Sequence, residues 1–311
     1  MEFNHIPVLL NECIEGLKIN ENGIYVDGTL GGAGHSNEII KKLSSNGRLI
    51  GIDRDEEALR AAKQKLSNYS NVTYVHNNHD NILDVLEELQ IENVDGILLD
   101  LGVSSYQIDE EERGFSYIKE SPLDMRMDKS QKLTAKDVVN SYDQEKLANL
   151  IYEYGEEKFS RQIARKIVEQ RKIQEITTTT QLVEIIKSVV PNYEGKTGGH
   201  PAKRAFQAIR IEVNGELRPL YDTVQNSIKA LKKGGRLCII TFHSLEDRIV
   251  KNAYIDAAGK CICPPGLPYC KCGAISLGKI ITKKPIIPSE QELENNSRSQ
   301  SAKLRIFEKT I

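Results

Sequence analysis

The sequence predicts an α/β protein, a doubly wound parallel sheet interrupted by an inserted all-helical domain. Three observations predict it. Short runs of Val, Ile and Leu bounded by Gly, Asp and Asn alternate with amphipathic helical patterns over residues 24–99. A long stretch with helix signals and no strand alternation follows. Strand and helix patterns then return toward the C-terminal end, so the sheet is split in sequence.

The strand runs are Ile24-Tyr25-Val26, Arg48-Leu49-Ile50-Gly51-Ile52, Val72-Thr73-Tyr74-Val75 and Gly96-Ile97-Leu98-Leu99. They read as strands buried on both faces. Helical patterns fall between them at 37–43, at 56–66 with Ala58, Leu59, Ala62 and Leu66 on one face, and at 82–89 with Leu83, Leu86 and Leu89. From Ser105 to Lys203 the connection far exceeds the roughly 2–6 residues of a βα loop, and it reads as a domain of its own. Thr134 with Asp137 makes a capping-box start, Asp143 caps a segment carrying Leu147, Leu150, Ile151 and Tyr154, and Ile163, Ile167 and Val168 share a face in the next. Apolar residues then step at helical spacing from Phe206 through Ile209, Val213, Leu217, Leu220, Val224 and Ile228 to Leu231. Gly215 and Pro219 interrupt them, which makes one kinked helix or two in series. A strand over 236–242, a helix over 244–257 and an alternating strand over 303–308 complete the sheet. The threonine run 177–180 and the polar stretch 290–301 read as loops. The domain boundaries expected from this are 1–105 and 204–311 for the two parts of the sheet domain and 106–203 for the helical one.

With 311 residues, 39% of them hydrophobic, the chain can bury a substantial core, which excludes a disordered tail or a mini-protein. No stretch approaches the ~20 apolar residues of a membrane span, and the first residues lack the basic end and apolar run of a secretory signal. The expectation is a cytoplasmic protein without a membrane partner. A net charge of −2 does not announce a nucleic-acid binder, so any such surface must come from local patches.

Directly after the first strand come Asp27-Gly28-Thr29-Leu30-Gly31-Gly32-Ala33-Gly34-His35-Ser36 and then a helix. Glycines let a ligand lie against bare backbone, and the N–H groups of the next helix start face whatever is bound. Asp53 closes the second strand, placed to accept from both hydroxyls of a ribose. Together they point to a nucleoside-containing cofactor, against the alternative of a tight structural turn. A carboxylate just before the loop suits the sulfonium and amino group of S-adenosylmethionine better than a pyrophosphate. Asp100 stands at the fourth strand end, where the switch-point rule puts ligand and chemistry.

The segments VDGTLGGAGHS (26–36), GIDRD (51–55), GILLDLGVSS (96–105), ERGFSY (112–117), PLDMRMD (122–128), YGEEKFSRQIARKIV (154–168), HPAKRAFQAIRIEVN (200–214) and ITFHSLEDRIVK (240–251) resemble those of the RsmH (formerly MraW) family. These are bacterial S-adenosylmethionine-dependent methyltransferases that modify the N4 amine of a cytosine in the decoding region of 16S ribosomal RNA. The resemblance spans nearly the whole chain. It implies a Rossmann-like class I methyltransferase domain interrupted by a helical domain, with 16S rRNA or the small ribosomal subunit as partner. Carried over by position, it implies cofactor contacts from Gly32, Ala33, Gly34, His35, Asp53, His79, Asp100 and Gln107. At His79, where relatives often have an aromatic, a neighbouring acid is the alternative adenine contact. The alternative for His35 is a histidine that caps the helix start.

Transfer to a cytosine amine needs in-line alignment and acceptors for its N–H bonds, and no covalent intermediate. Methylation at C5 needs a thiol, and no cysteine lies at a switch-point loop. The Pro-Pro-aromatic motif of many amino-methyltransferases is absent, with Asp100-Leu101-Gly102-Val103 in its place. The catalytic candidates are therefore Asp100 as hydrogen-bond acceptor and His243, with Phe242 available to stack on the base. His243 is equally readable as a structural residue tied to Glu246 or Asp247. Arg161 and Arg165, within a run from Lys158 to Lys172, and Lys203, Arg204 and Arg210 form two basic stretches expected to track RNA phosphates in a groove between the domains. Cys261, Cys263, Cys270 and Cys272, in two C-x-C pairs joined by a Pro/Gly turn, are candidate ligands of a structural zinc. Three other functions compete: an NAD-dependent dehydrogenase sharing the loop and Asp53, a non-enzymatic RNA-binding or ribosome-assembly factor on a methyltransferase scaffold, and a DNA amino-methyltransferase, which the absent Pro-Pro motif and the resemblance disfavour.

Overall fold

A computed structural model describes residues 7–190, 199–259, 263, 273 and 275–311. The chain divides into two compact units, one formed by Met1–Gly102 with Leu217–Ile311 and the other by Val103–Glu216.

The first unit runs α1 (Leu10–Leu17), β1 (Ile24–Asp27), α2 (Gly34–Lys41), β2 (Arg48–Asp53), α3 (Glu56–Lys65), β3 (Val72–His76), α4 (Ile82–Glu88) and β4 (Val94–Asp100). The second holds α5 (Ser105–Asp109), α6 (Ala135–Ser141), α7 (Gln144–Gly155), α8 (Ser160–Arg171), α9 (Thr179–Lys187) and α10 (Lys203–Asn214). The chain then returns to the first through α11 (Leu220–Ala230), β5 (Leu231–Thr241), α12 (Ser244–Ala257), β6 (Gly278–Ile280), α13 (Glu290–Asn295) and β7 (Lys303–Lys309).

The sheet order is β3-β2-β1-β4-β5-β7-β6. Strands β1 to β5 pair in parallel, while β7 runs antiparallel to both β5 and β6. The apolar runs are continuous because successive side chains face two cores. Ile50, Ile97 and Ile239 pack under α4, α11 and α12 with Val85, Val224 and Val250. Leu49, Leu98 and Cys238 pack on the other side with Cys13 and Leu17 of α1, Ile39 of α2 and Leu59 of α3. Burying both faces of the four inner parallel strands β1, β2, β4 and β5 supplies the main apolar area of this unit, at about 25 cal/mol per Å². The order reverses at β1, between β2 and β4, so the crevice lies beyond the carboxyl ends of β1 and β4. This is the Rossmann-like α/β class expected from the sequence.

The helical unit has its own core: Val138 of α6, Leu147 and Ile151 of α7, Ile163 and Ile167 of α8, Leu182 and Ile186 of α9, and Phe206, Ile209 and Val213 of α10. Thr134 bonds the backbone N–H of Asp137 and Asp143 that of Lys146, as the capping patterns require.

Three sequence expectations change, and one left open is decided. The boundary at 203 moves to Glu216, because α10 buries its apolar face in the helical core and packs against α7. The apolar series from Phe206 is two helices: Gly215, at φ 62°, ends α10 in the left-handed region, and Pro219 precedes α11. The threonine run is a helix start, with Thr178 capping α9 and Thr179 buried within it. The 290–301 stretch carries the short α13, started by the Ser289 hydroxyl accepting from Glu292 N–H.

Candidate functional site

The glycine loop is shaped by acids at both neighbouring strand ends. Asp27, buried at the end of β1, accepts from the Ser36 hydroxyl at 2.7 Å and from the Thr29 N–H at 3.1 Å. These two bonds join the loop to α2 and use part of the acceptor capacity of the carboxyl. Burial raises its pKa to about 6. Asp53, at the end of β2, accepts from Gly31 N–H and Asp55 N–H, each at 2.8 Å. Burial raises it to about 6, and those two N–H groups oppose the rise. Gly31 needs its left-handed φ of 48° to aim that N–H, and beside Gly32 there is open space where a Cβ would stand. Ala33 is the N-cap of α2 and offers no side-chain acceptor, so the first N–H groups of the helix are left for a ligand.

Beyond β3, His79 opens a short 3₁₀ turn and its Cβ lies against Gly28 of the loop. Its Nε2 is 3.4 Å from Asp80 Oδ1, and burial lowers its pKa to about 4. The ring therefore borders the loop as a neutral group.

Asp100, at the end of β4, differs from the other acids. Its backbone N–H donates to the Thr29 hydroxyl at 2.6 Å, while its buried Oδ1 has no hydrogen-bond partner. Burial first, then the nearby charges of Asp27 and Glu246, raise it to about 8. Its Oδ2 lies 3.7 Å from His35 Nδ1. His35 is 6% exposed, and its Nε2 is 2.9 Å from the Val8 carbonyl. Burial lowers its pKa to about 4. No side chain caps the start of α2, and the His35 ring bonds the Val8 carbonyl instead.

His243 is the N-cap of α12: Nδ1 accepts from Glu246 N–H at 3.5 Å, and Nε2 lies 3.1 Å from Glu246 Oε1. Glu246, 2% exposed, accepts the backbone N–H groups of Phe242 and His243 in return. Of the two readings for His243, the structure supplies the contacts of the structural one, while Nε2 is buried and makes no hydrogen bond. Phe242 lies where a Cβ on Gly102 would touch its ring at 3.6 Å. Sequence reasoning missed two groups: Thr29, which orients the Asp100 backbone, and Glu246 as a charge acting on Asp100. The Thr29 hydroxyl leaves no pattern in the sequence; the H-S-L-E spacing of 243–246 was the signal for Glu246.

Gln107 belongs to the helical unit, where it completes a capping box with Ser104 and starts α5. Arg161 and Arg165 on α8, and Lys203 and Arg204 at the start of α10, are exposed. Arg210 is not of this kind: both ends of its guanidinium bond Glu216, at 3.0 and 2.9 Å, and it is 16% exposed. Arg171, from the same basic run as Arg161, donates to the carbonyls of Val139 and Tyr142. Of the zinc candidates, Cys261, Cys270 and Cys272 lie outside the described residues and Cys263 within them; no group of three or more His, Cys, Asp or Glu that could hold a metal occurs among the described residues. No described helix is long and apolar enough to cross a membrane.

Comparison with known proteins agrees along the whole chain. "Ribosomal RNA small subunit methyltransferase H" of Clostridium botulinum (strain Kyoto / Type A2) is 59% identical over 309 residues, covering 99% of this chain and 100% of that one. The protein of that name from Clostridioides difficile (strain 630) is 54% identical over 310 residues, covering 99% and 100%. "Ribosomal RNA small subunit methyltransferase H 2" of Agathobacter rectalis is 57% identical over 311 residues, covering 99% of each. A methylase assignment sets the dehydrogenase alternative aside, and the model of one such family matches residues 2–310. The sheet order, the glycine loop and this end-to-end match make the chain a member of the MraW methylase family.

Proposed function

We propose that this chain transfers a methyl group from S-adenosylmethionine to the exocyclic N4 amine of a cytosine in the decoding region of 16S ribosomal RNA, in the cytoplasm. The observation that carries the reading is Asp100: a carboxyl at the switch point, beside the glycine loop, with one buried oxygen lacking a partner. A buried unpaired acceptor costs about 1–3 kcal/mol, so it marks a position kept for a donor group that arrives with the ligand. The names of the relatives support ribosomal RNA as substrate.

The residues fit the methyl donor. Asp53 retains acceptor capacity beyond the two N–H bonds it makes, enough for ribose hydroxyls. The open space at Gly32, the start of α2 and the neutral His79 offer backbone donors and a flat ring for the rest of a nucleoside. When bound, S-adenosylmethionine supplies an electrophilic methyl carbon on a positively charged sulfur.

The cytosine amine is a weak nucleophile because its lone pair is conjugated into the ring. Asp100 accepts an N–H of that amine, holding the lone pair toward the methyl carbon, and receives the proton that nitrogen sheds as the new N–C bond forms. Phe242, at the neighbouring strand end, stacks on the base. The amine route is favoured over C5 chemistry because Cys13 and Cys238 are buried and both are held well above the usual thiol range, Cys238 at about 12, mainly by burial. Exposed Arg161, Arg165, Lys203 and Arg204 on the helical unit bind RNA phosphates.

The test is mass spectrometry of 16S rRNA nucleosides from cells with and without the gene. The reading requires N4-methylated cytidine to disappear without it. A tritiated-methyl assay on free 16S rRNA and on small subunits identifies which of the two is the substrate.

A further inference from the structure

We propose that His35 is a positioning residue whose ring presents a lone pair, not an N–H, to Asp100, so that the ligand-free protein holds Asp100 as a neutral acid and docking of the cationic methyl donor expels one proton. This deepens the proposed methyl-donor reading and rests on it.

The tautomer follows from one hydrogen bond. A carbonyl oxygen only accepts, so Nε2 of His35, 2.9 Å from the Val8 carbonyl, carries the hydrogen. A neutral ring has one N–H, which leaves Nδ1 as a bare lone pair 3.7 Å from Asp100 Oδ2. A lone pair beside a carboxylate repels it, whereas a carboxylic acid can turn its O–H toward that nitrogen.

The other groups around Asp100 push the same way. Asp27 at the end of β1 and Glu246 on α12 are the charged groups acting on it, and both are acids. From α1, Cys13 faces it as a neutral thiol. The Thr29 hydroxyl takes the Asp100 backbone N–H, and Oδ1 is buried with no partner. No neighbour in this set supplies a positive charge or an N–H to a carboxylate form. The raised pKa of Asp100 and the lowered pKa of His35 agree with this geometry.

A sulfonium or ammonium brought to Oδ1 reverses the balance. The ionised form then gains a partner in a buried site, and the acid proton leaves to the buffer. The order of events follows: Asp100 becomes an acceptor for a cytosine N–H only after the donor has docked.

Isothermal calorimetry of S-adenosylmethionine binding, in two buffers of different ionisation enthalpy at about pH 7, counts the protons released. The ligand's own amine titrates alike with every variant, so the difference between wild type and Asp100→Asn is the reading. About one proton per donor is expected for wild type over Asp100→Asn. His35→Asn replaces the lone pair with an amide that can donate, and it should cut the release by at least about half. Equal release in His35→Asn and wild type removes His35 from the role. Binding with no difference between wild type and Asp100→Asn overturns the proton linkage but leaves the donor reading standing; no binding at all overturns the donor reading. Nuclear magnetic resonance of the wild-type protein needs no folded variant. The ring nitrogen shifts of His35 must show the hydrogen on Nε2, and the carboxyl carbon shift of Asp100 must show the acid still protonated at about pH 6 without ligand. Ionisation of Asp100 in the ordinary carboxylate range overturns the proposal.

Discussion

The ends of β2 and β4 carry the same residue in the same kind of place, and their own chain treats them oppositely. Asp53 receives two backbone N–H groups that fix the glycine loop and the turn into α3. Asp100 receives none on its carboxyl, and its Oδ1 is buried without a partner. Burial pushes both upward, to about 6 for Asp53, where hydrogen bonds oppose it, and to about 8 for Asp100, where two acids add to it. An acid whose oxygens are bonded to its own backbone is part of the scaffold that shapes the site. One left wanting a donor is, in the function proposed above, the part that chemistry uses. Arg210 and Arg204 repeat the contrast in the helical unit, the first paired with Glu216 and the second exposed with a single contact to the Glu156 carbonyl.

The largest expected effect separates the two acids by activity. Asp100→Ala should lower methyl transfer by at least on the order of 100-fold while circular dichroism stays native, since no structural bond is lost. Near-normal turnover in a tritiated-methyl assay would remove Asp100 from catalysis and erase the contrast.

Stability should separate them in the other direction. Asp53→Ala strands the Gly31 and Asp55 N–H groups and should cost about 1–3 kcal/mol in urea unfolding. Asp100→Asn should cost nothing or stabilise, because it removes a buried ionisable group that lacks a partner. An Asp53→Ala protein as stable as wild type would mean that its hydrogen bonds are not what shapes the loop.

The pH dependence sharpens the point. The folded-state pKa of Asp100 is raised from 3.8 to about 8. Its contribution to stability is therefore full below 3.8 and is lost as pH rises toward about 8. The Tm of the ligand-free wild type should fall relative to Asp100→Asn across that window. Parallel curves would show that Asp100 ionises normally in the folded protein.

The smallest effect belongs to the arginines. Arg204→Glu should weaken binding to 16S rRNA and reduce the slope of log K against log salt by about 1. Arg210→Glu should act mainly by lowering Tm, through repulsion of Glu216 at the end of α10. A salt slope that moved equally for both would show that the Arg210 pair opens to RNA.

Much of the fold was legible because burial on both faces writes itself as an unbroken apolar run. The first four strands and the last were located to within a residue or two of their ends. Less was visible where an element is short or its role is local. The three-residue β6 and the eight-residue α1 carry no clear pattern, and the threonines at 177–180 read as a loop because capping residues and loop residues have the same composition. The boundary at α10 misled for a different reason. An apolar stripe says that a helix is buried and does not say which core receives it.

The site divides in the same way. The glycine loop, the acid at each strand end and the capped starts of α6 and α7 are legible in the sequence alone, because these rest on backbone conformation and on spacing along the chain. Only the tertiary structure decided what each acid faces: Asp27 toward Ser36, Asp53 toward the loop backbone, Asp100 toward the lone pair of His35. The physical reason is that a carboxyl's availability depends on which donors lie within about 3 Å of it in space, and those donors come from positions far apart in the sequence.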